Sequence, residues 1–158
     1  MTAATVLTLV GAVGTGVMAG VYVAFSVMVM PALDRRRPGE SVGFMQETNR
    51  NAVRPAFQLA FSGTAIAAVA LLVVAFAVED AEGTWLVAGS VAYLLTIVLT
   101  AAFHIPRNNA IDAVDAEDAA ASGVAWTAYS RPWTLGNHVR ALLCVVALLS
   151  YAAALLAT

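Results

Sequence analysis

The side chains of this chain that could do chemistry lie in three short segments, which long apolar stretches separate. They are Gln46, Asn49 and Arg50; His104, Arg107, Asn108 and Asn109; and Tyr129, Trp133, Asn137, His138 and Arg140. Imidazoles can accept a proton close to neutral pH, and amide and guanidinium groups can hold a developing oxyanion or enolate. If the apolar stretches form one helical bundle, all three segments meet at one end of it, and we predict a binding pocket there.

The spacing within the last segment supports this prediction. Trp133, Asn137, Arg140 and Cys144 share one helix face at i, i+4, i+7 and i+11, and His138 adjoins that face. Polar groups in the first turns of an apolar helix carry a desolvation cost unless they line a pocket or reach the membrane interface.

We therefore predict two sets of site residues. The predicted catalytic residues are His138 as the base, with His104, Asn137 and Arg140; the predicted substrate-binding residues are Gln46, Asn49, Asn108, Tyr129 and Trp133.

Each of these residues also has a simpler interpretation. Arg140 could extend to lipid phosphates, the two histidines could satisfy helix ends, and the amides could cap helices. Two histidines form a poor metal site because stable sites usually have three or four ligands, and the one cysteine adds no cluster. We favour cofactor-free chemistry, with haem, copper or iron bound through His104 and His138 as the alternative.

The composition of the chain predicts the helices that position these side chains. The chain is 61% hydrophobic and 11% charged, and residues 1–33, 55–78, 83–106 and 141–158 contain no charged side chain. Because roughly 20 apolar residues span a bilayer, each block is near the length of a membrane helix. We predict an all-α, four-helix transmembrane bundle, one domain over residues 1–158, with helices at about 5–33, 55–78, 84–104 and 133–157. The net charge of −2 argues against nucleic-acid binding.

The connections predict the orientation. The chain has no lysine; its arginines follow the first block or lie between the third and fourth, whereas Glu79, Asp80 and Glu82 lie between the second and third. The positive-inside rule then predicts a multi-pass protein of the plasma membrane with both termini outside.

Short amphipathic helices are expected in both cytoplasmic connections, at 41–54 and 110–121. Pro106 is expected to end the third helix and Pro132 to precede the fourth. Trp126, Tyr129 and Trp133 are expected to lie at the inner membrane interface.

Four strings resemble a known family. They are Ala24-Phe25-Ser26-Val27-Met28-Val29-Met30-Pro31-Ala32-Leu33, Met45-Gln46-Glu47-Thr48-Asn49-Arg50, His104-Ile105-Pro106-Arg107-Asn108-Asn109 and Trp133-Thr134-Leu135-Gly136-Asn137-His138-Val139-Arg140. In order and spacing they resemble the DUF1772, or anthrone oxygenase-like, integral membrane proteins. The resemblance implies four membrane helices and, from some fungal members, oxidation of an anthrone to an anthraquinone with O₂. Family members often have Asn-Val-Pro-Leu-Asn where this chain has His104 to Asn108, and a tryptophan in place of Gly136.

Two functions remain open at this point. The first is an oxygenase that oxidises a phenolic or anthrone-like aromatic at a pocket on the cytoplasmic side. The second is a non-enzymatic membrane component with the same pocket: a quinone- or haem-binding protein or an assembly partner. The predicted partners are the lipid bilayer and a small hydrophobic aromatic substrate, and the sequence leaves a homo-oligomer open.

Overall fold

The computed structural model describes residues 1–77 and 81–157 and consists of helices joined by short turns. In chain order the elements are α1 (Ala3–Ala24), the π-helical turn π1 (Phe25–Val29), α2 (Met30–Leu33), α3 (Pro38–Ala52), α4 (Pro55–Ala75), α5 (Ala81–Leu99), the π-helical turn π2 (Thr100–His104), α6 (Ile105–Asp112) and α7 (Ala119–Leu156). The predicted helix end at Val78 and the acidic residues Glu79 and Asp80 lie outside the described residues.

Four helical stretches in the described part of the chain are long and apolar enough to cross a membrane. They are Ala3–Leu33, Pro55–Ala75, Glu82–Asp112 and Ala119–Leu156. Apolar side chains such as Leu59, Ile66 and Val73 lie exposed on the outside of the bundle, where lipid would cover them. The prediction of an all-α, four-helix membrane protein is confirmed.

The four long helices pack as a ring in which α1 and α5 each contact both α4 and α7. Their shared core contains Met18, Ala68, Tyr93 and Cys144, all fully buried. Glycines allow the closest approaches. A Cβ at Gly89 would lie 2.8 Å from the ring of Tyr151, so α5 and α7 could not pack as closely with any larger residue there.

A smaller layer of helices covers one end of the bundle, which we call the polar end: α2, α3, α6 and the first turns of α7. The amphipathic helix expected at 41–54 is present as α3, with Val42 and Met45 buried and Glu47 and Arg50 exposed. Pro55 begins α4, where its missing N–H costs no helical hydrogen bond. The chain therefore re-enters the bundle directly after α3.

Pro106 does not end the third membrane helix, contrary to the prediction. The helix passes through π2 and continues as α6 to Asp112, with Pro106 in the first turn of α6. In π2 the N–H of Ile105 bonds to the carbonyl of Thr100, five residues back. This wider turn adds a residue before the proline and relieves the clash of its ring with the preceding turn. The same arrangement precedes Pro31, where π1 leads into α2.

Pro132 likewise does not precede the last helix but lies inside α7, which runs without interruption for 38 residues. Most of the connection between the third and fourth membrane helices is therefore helical, and only residues 113–118 form the turn between α6 and α7. The prediction of one helix at 110–121 is therefore wrong, because this turn interrupts it. Asp118 caps α7: its Oδ1 accepts the N–H groups of Ala120 and Ala121 at 2.9 and 3.0 Å.

The three aromatic residues predicted at the membrane interface are buried within the protein. Trp126, Tyr129 and Trp133 are 8%, 4% and 5% exposed and pack with side chains of α2, α3 and α6. At 1.5 Å per residue α7 is about 57 Å long, so it extends well beyond a hydrocarbon core of about 30 Å. The extra turns give the polar end its own core, and this packing holds α7 helical through Pro132.

Asp34 joins the end of α2 to α7. Its Oδ1 accepts hydrogen bonds from Trp126 Nε1 at 3.0 Å and from Ser130 Oγ at 2.6 Å.

We predict that Asp34→Ala destabilises the protein by about 1–3 kcal/mol, because two donors lose a charged acceptor. Thermal unfolding of detergent-purified protein measures this. The control Glu117→Ala changes an exposed carboxylate in the turn before α7 and is expected to melt like the wild type; equal loss in both variants would contradict the role of Asp34.

Candidate functional site

Asn137 and Arg140 form the centre of the site, one helical turn apart on α7 and only 0% and 6% exposed. The Asn137 amide donates to the carbonyl oxygen of Tyr22 at 2.6 Å and to Ser26 Oγ at 2.7 Å. Its carbonyl oxygen accepts from Arg140 Nη2 at 2.7 Å. Asn137 therefore anchors the guanidinium to α1 and π1.

The other contacts of Arg140 come from π2 and from aromatic rings. Nη1 donates to Thr100 Oγ1 at 3.3 Å, and the guanidinium carbon lies 4.4 Å from the ring centroid of Tyr22 and 5.4 Å from that of Trp133. Thr100 Oγ1 in turn donates to the Thr96 carbonyl oxygen at 2.7 Å. All these partners are neutral, so they orient the guanidinium without balancing its charge.

No carboxylate within residues 1–77 and 81–157 forms an ion pair with Arg140; the ion pairs found there join Glu40 and Glu47 to exposed arginines. Nε of the guanidinium is buried without a hydrogen-bond partner in this part of the chain, and so is Oη of Tyr22, whose ring packs on the guanidinium. An arginine stays protonated in proteins. The bundle therefore holds a buried positive charge that keeps an unused hydrogen-bond donor among the described residues.

Arg140 faces a cavity of about 560 Å³ between α1, α3, α4, α6 and α7. Most of its wall is apolar and aromatic, with Phe25, Phe57, Phe61 and Trp133. The polar lining residues include Asn49, Asn108, Thr100, Asn137 and Arg140. The cavity suits a flat, hydrophobic molecule that carries a few oxygen atoms.

The cavity opens at the polar end, where its rim includes the exposed residues Arg50, Asn51 and Asp112. Glu47 binds Arg50 through its Oε2, which accepts from Nε at 2.9 Å and Nη2 at 2.6 Å. These hydrogen bonds from Arg50 lower the pKa of Glu47, because they stabilise its ionised form. The arginine at the rim thus has an acidic partner, and the buried Arg140 has none among the described side chains.

Asn108 contributes a donor to the cavity. Its Oδ1 accepts from Tyr129 Oη and from Trp133 Nε1, both at 3.0 Å. Since an indole N–H can only donate, this contact determines which end of the Asn108 amide is the oxygen. The NH₂ group of Asn108 is then the end that can donate to a ligand.

Asn49 and Gln46 hold the polar end together in different ways. Asn49 lines the cavity and donates to Asp112 Oδ1 at 2.8 Å. Gln46 is not among the lining residues; its Nε2 donates to the carbonyl oxygens of Ile111 and Val114 at 3.0 and 2.8 Å. Gln46 thus fastens α3 to the end of α6, and Asn49 reaches the site itself.

His104 lies behind the cavity wall rather than on it. It is fully buried, and its ring lies 5.3 Å from the Phe103 centroid and 5.4 Å from the Trp133 centroid. Its Nδ1 lies 3.4 Å from the carbonyl oxygen of Leu99, at the start of π2. His104 therefore supports π2 and the indole of Trp133, which does line the cavity.

Gly136 provides the space that His104 occupies. A Cβ at this position would lie 2.6 Å from Phe103 Cε1 and 3.0 Å from His104 Cε1. The two departures from the family pattern, His104 and Gly136, are therefore neighbours in space. A large side chain at position 136 could not coexist with Phe103 and His104 as they stand here.

His138 is exposed on α7 and is not among the residues that line the cavity. Its predicted role as a base stays a prediction that the geometry of the cavity does not support. In the described part of the chain, no three His, Cys, Asp or Glu side chains lie together as a metal site. A metal bound through His104 and His138 would find no third protein ligand of these types there.

Several site residues were not among the sequence-based candidates. Tyr22, Ser26 and Thr100 surround the Asn137–Arg140 pair, and Phe57 and Phe61 form much of the wall. Ser26 and Thr100 each lie in a π-helical turn that a proline follows, which is the one sequence signal that could have singled them out.

A family model described as anthrone oxygenase matches residues 53–150, more than half of the chain. The chain belongs to the anthrone oxygenase family. In this family member the matched region includes Asn108, Trp133, Asn137 and Arg140, whereas α1 precedes it. Comparisons with curated proteins and with solved structures found no match.

Two glycines on α7 of this anthrone oxygenase family member, Gly136 and Gly123, allow a test of the packing with a matched control. We predict that Gly136→Ala destabilises the protein by about 1–3 kcal/mol, because the new methyl group overpacks the contact with Phe103 and His104. Gly123→Ala meets no atom within 4 Å and is expected to be neutral or up to about 1 kcal/mol more stable, since alanine favours a helix. Thermal unfolding in detergent, followed by tryptophan fluorescence, tests both; an unchanged Gly136→Ala would show that the wall behind Trp133 is loosely packed.

Proposed function

We propose that this small membrane protein oxidises a phenolic or anthrone-like aromatic with O₂ in the cavity beside Arg140. The observation that carries the proposal is a buried guanidinium without an acidic partner among the described residues, at the wall of an apolar cavity with aromatic sides. Membership of the anthrone oxygenase family supports the reaction class.

The reaction balances with O₂ as the oxidant. An anthrone carries a CH₂ group between two aromatic rings, opposite a carbonyl group in the same ring. Loss of one proton gives an enolate, which adds O₂ and takes up a proton to form a hydroperoxide at that carbon. Loss of water from the hydroperoxide leaves a carbonyl group, so one anthrone and one O₂ give one anthraquinone and one water.

The side chains of the cavity supply binding and charge stabilisation for this reaction. Arg140 would hold the substrate oxygen on which the negative charge of the enolate resides. Asn137 holds Arg140 in place through its amide oxygen, and the Asn108 NH₂ and Tyr22 hydroxyl groups are further donors. The aromatic rings of Phe25, Phe57 and Trp133 would pack against the flat body of the substrate.

The proton has a path to water at the rim of the cavity, which reaches exposed residues at the polar end. In this proposal His138 does not act as the base, because its side chain is exposed outside the cavity. Stabilisation of the enolate by Arg140 makes the substrate more acidic, which reduces the need for a strong base.

Oxygen uptake with anthrone tests the proposal directly. We expect the purified protein to consume one O₂ per anthrone, and Arg140→Gln to lower kcat/KM by about 100-fold or more, since it removes a charged donor for the oxyanion. The matched control is Arg131→Gln, which removes an exposed arginine from the same helix and is expected to keep full activity. Absence of uptake in a folded wild-type protein, or equal activity in Arg140→Gln, would refute the proposal.

A second variant in the same assay separates this proposal from the sequence-based one. We expect His138→Ala to retain wild-type kcat/KM because its side chain does not line the cavity. If this variant melts like the wild type but loses oxygen uptake, His138 acts as the base and the present proposal is wrong on this point.

For the membrane orientation we propose that the polar end faces the cytoplasm and that both termini lie outside the plasma membrane. The exposed residues Arg35, Arg36, Arg37 and Arg131 all lie at the polar end, which favours the cytoplasmic side. The chain's one cysteine, Cys144, is buried, so new cysteines can be labelled selectively.

The orientation predicts opposite labelling of two exposed positions. In intact cells a membrane-impermeant maleimide should label Thr2→Cys and leave Arg36→Cys unlabelled until the cells are opened. The reverse pattern would place the polar end outside.

A further inference from the structure

Arg140 has an unusual electrostatic situation for a residue inside a membrane bundle. Its side chain is 6% exposed, its hydrogen-bond partners are the neutral Asn137 and Thr100, and its Nε has no partner in the described part of the chain. A charged group in a membrane interior is costly unless it pairs with an opposite charge, bonds to backbone carbonyls or faces a water-filled cavity. None of the described side chains supplies an opposite charge to Arg140, and the cavity beside it leaves room for a ligand that does.

The other ionisable side chains that act on Arg140 are Tyr22, Tyr129, Cys144 and His104. None of them is a carboxyl group. Among the described residues, the one acidic side chain in the cavity lining is Asp112, which is exposed at the rim and accepts a hydrogen bond from Asn49. The deep part of the cavity is therefore positive.

The free polar groups on the cavity side of this charge can donate hydrogen bonds. Among the described residues, Arg140 Nε and Tyr22 Oη are buried and unpaired, and the oxygen of Asn108 is already used by Tyr129 and Trp133. His104 Nε2 is also buried and unpaired, but His104 does not line the cavity. A ligand that fits this end must bring acceptor oxygens and a negative charge. The walls of Phe25, Phe57 and Phe61 add the requirement of a hydrophobic, flat body, which excludes a small hydrated anion.

We infer that the cavity binds its ligand as a lipophilic aromatic anion, a phenolate or an enolate, with the charged oxygen on the Arg140 guanidinium. The inference rests on the proposed function for the identity of the site, but it concerns binding and needs neither O₂ nor turnover. On binding, the O–H or C–H bond of the ligand breaks, the electron pair stays on the ligand, and the proton passes to water at the rim. The bound anion then provides the charge that Arg140 lacks.

A hydroxyanthraquinone is a suitable probe because its phenolate absorbs at longer wavelengths than the neutral phenol and it carries no CH₂ group to oxidise. The measurement is a spectroscopic pH titration of 2-hydroxyanthraquinone with protein in lipid nanodiscs, with empty nanodiscs as the blank. In the wild type we expect the acid dissociation constant of the bound phenol to rise tenfold or more relative to the blank, since an opposite charge stabilises the anion. Arg131→Gln should behave like the wild type, and Arg140→Gln should lose the effect.

A second measurement does not depend on any variant. At a pH where the probe is half ionised in the blank, the wild type should bind 2-hydroxyanthraquinone at least tenfold more tightly than 2-methoxyanthraquinone, which has the same body and cannot ionise. Laurate, an aliphatic anion, should displace the probe only at much higher concentration, because the wall is aromatic. Arg140→Lys, which keeps the charge, should retain part of the preference.

The inference is overturned if the wild type binds the neutral phenol, if Arg140→Gln that melts like the wild type keeps the shift, or if laurate competes as well as the aromatic probe. Its failure can be told apart from failure of the proposed function. If the bound phenol ionises but anthrone causes no oxygen uptake, the anion site is supported and the proposed oxidation is refuted. If oxygen uptake depends on Arg140 but the probe does not ionise, the oxidation is supported and the anion site is refuted.

Discussion

One buried charge organises the polar end of this bundle. The guanidinium of Arg140 is surrounded by hydrogen bonds and aromatic faces from α1, π2 and α7, all of them neutral. In a membrane interior such a charge is stable only where its donors are satisfied and where a counter-charge can come close. Thr100 and Asn137 satisfy the two terminal nitrogens, Nε stays unpaired among the described residues, and the cavity beside the guanidinium offers space for a counter-charge.

The two π-helical turns connect this charge to the fold. Each precedes a proline, and each presents a hydroxyl group to the centre of the site: Ser26 from π1 to Asn137, and Thr100 from π2 to Arg140. A π-helical turn widens the helix and so both accommodates the proline ring and changes the direction of the side chains before it. The irregularities that let the helices continue are thus the same ones that bring polar groups to Arg140.

Much of the architecture follows from the sequence because it depends on local composition. Uncharged blocks near bilayer length predict four membrane helices, and the amphipathic pattern after the first block predicts α3. The continuation of the helices through Pro106 and Pro132 could not be predicted in this way, because the rules for proline describe a helix without neighbours. Here π2 absorbs the first proline, and the packing of Trp126 and Tyr129 on α2, α3 and α6 stabilises α7 around the second.

The sequence by itself determined which polar residues gather at one end of the bundle, because successive membrane helices run in opposite directions and the first and third connections, which carry these residues, therefore lie on the same side. It also singled out Asn137 and Arg140, which helical spacing places on the inner face of α7. Only the tertiary structure decided how the two histidines differ: His138 lies outside the cavity, and His104 is buried behind Trp133 in the space that Gly136 leaves. Those outcomes depend on the rotation of each helix and on contacts between residues far apart in the chain, which no local pattern encodes.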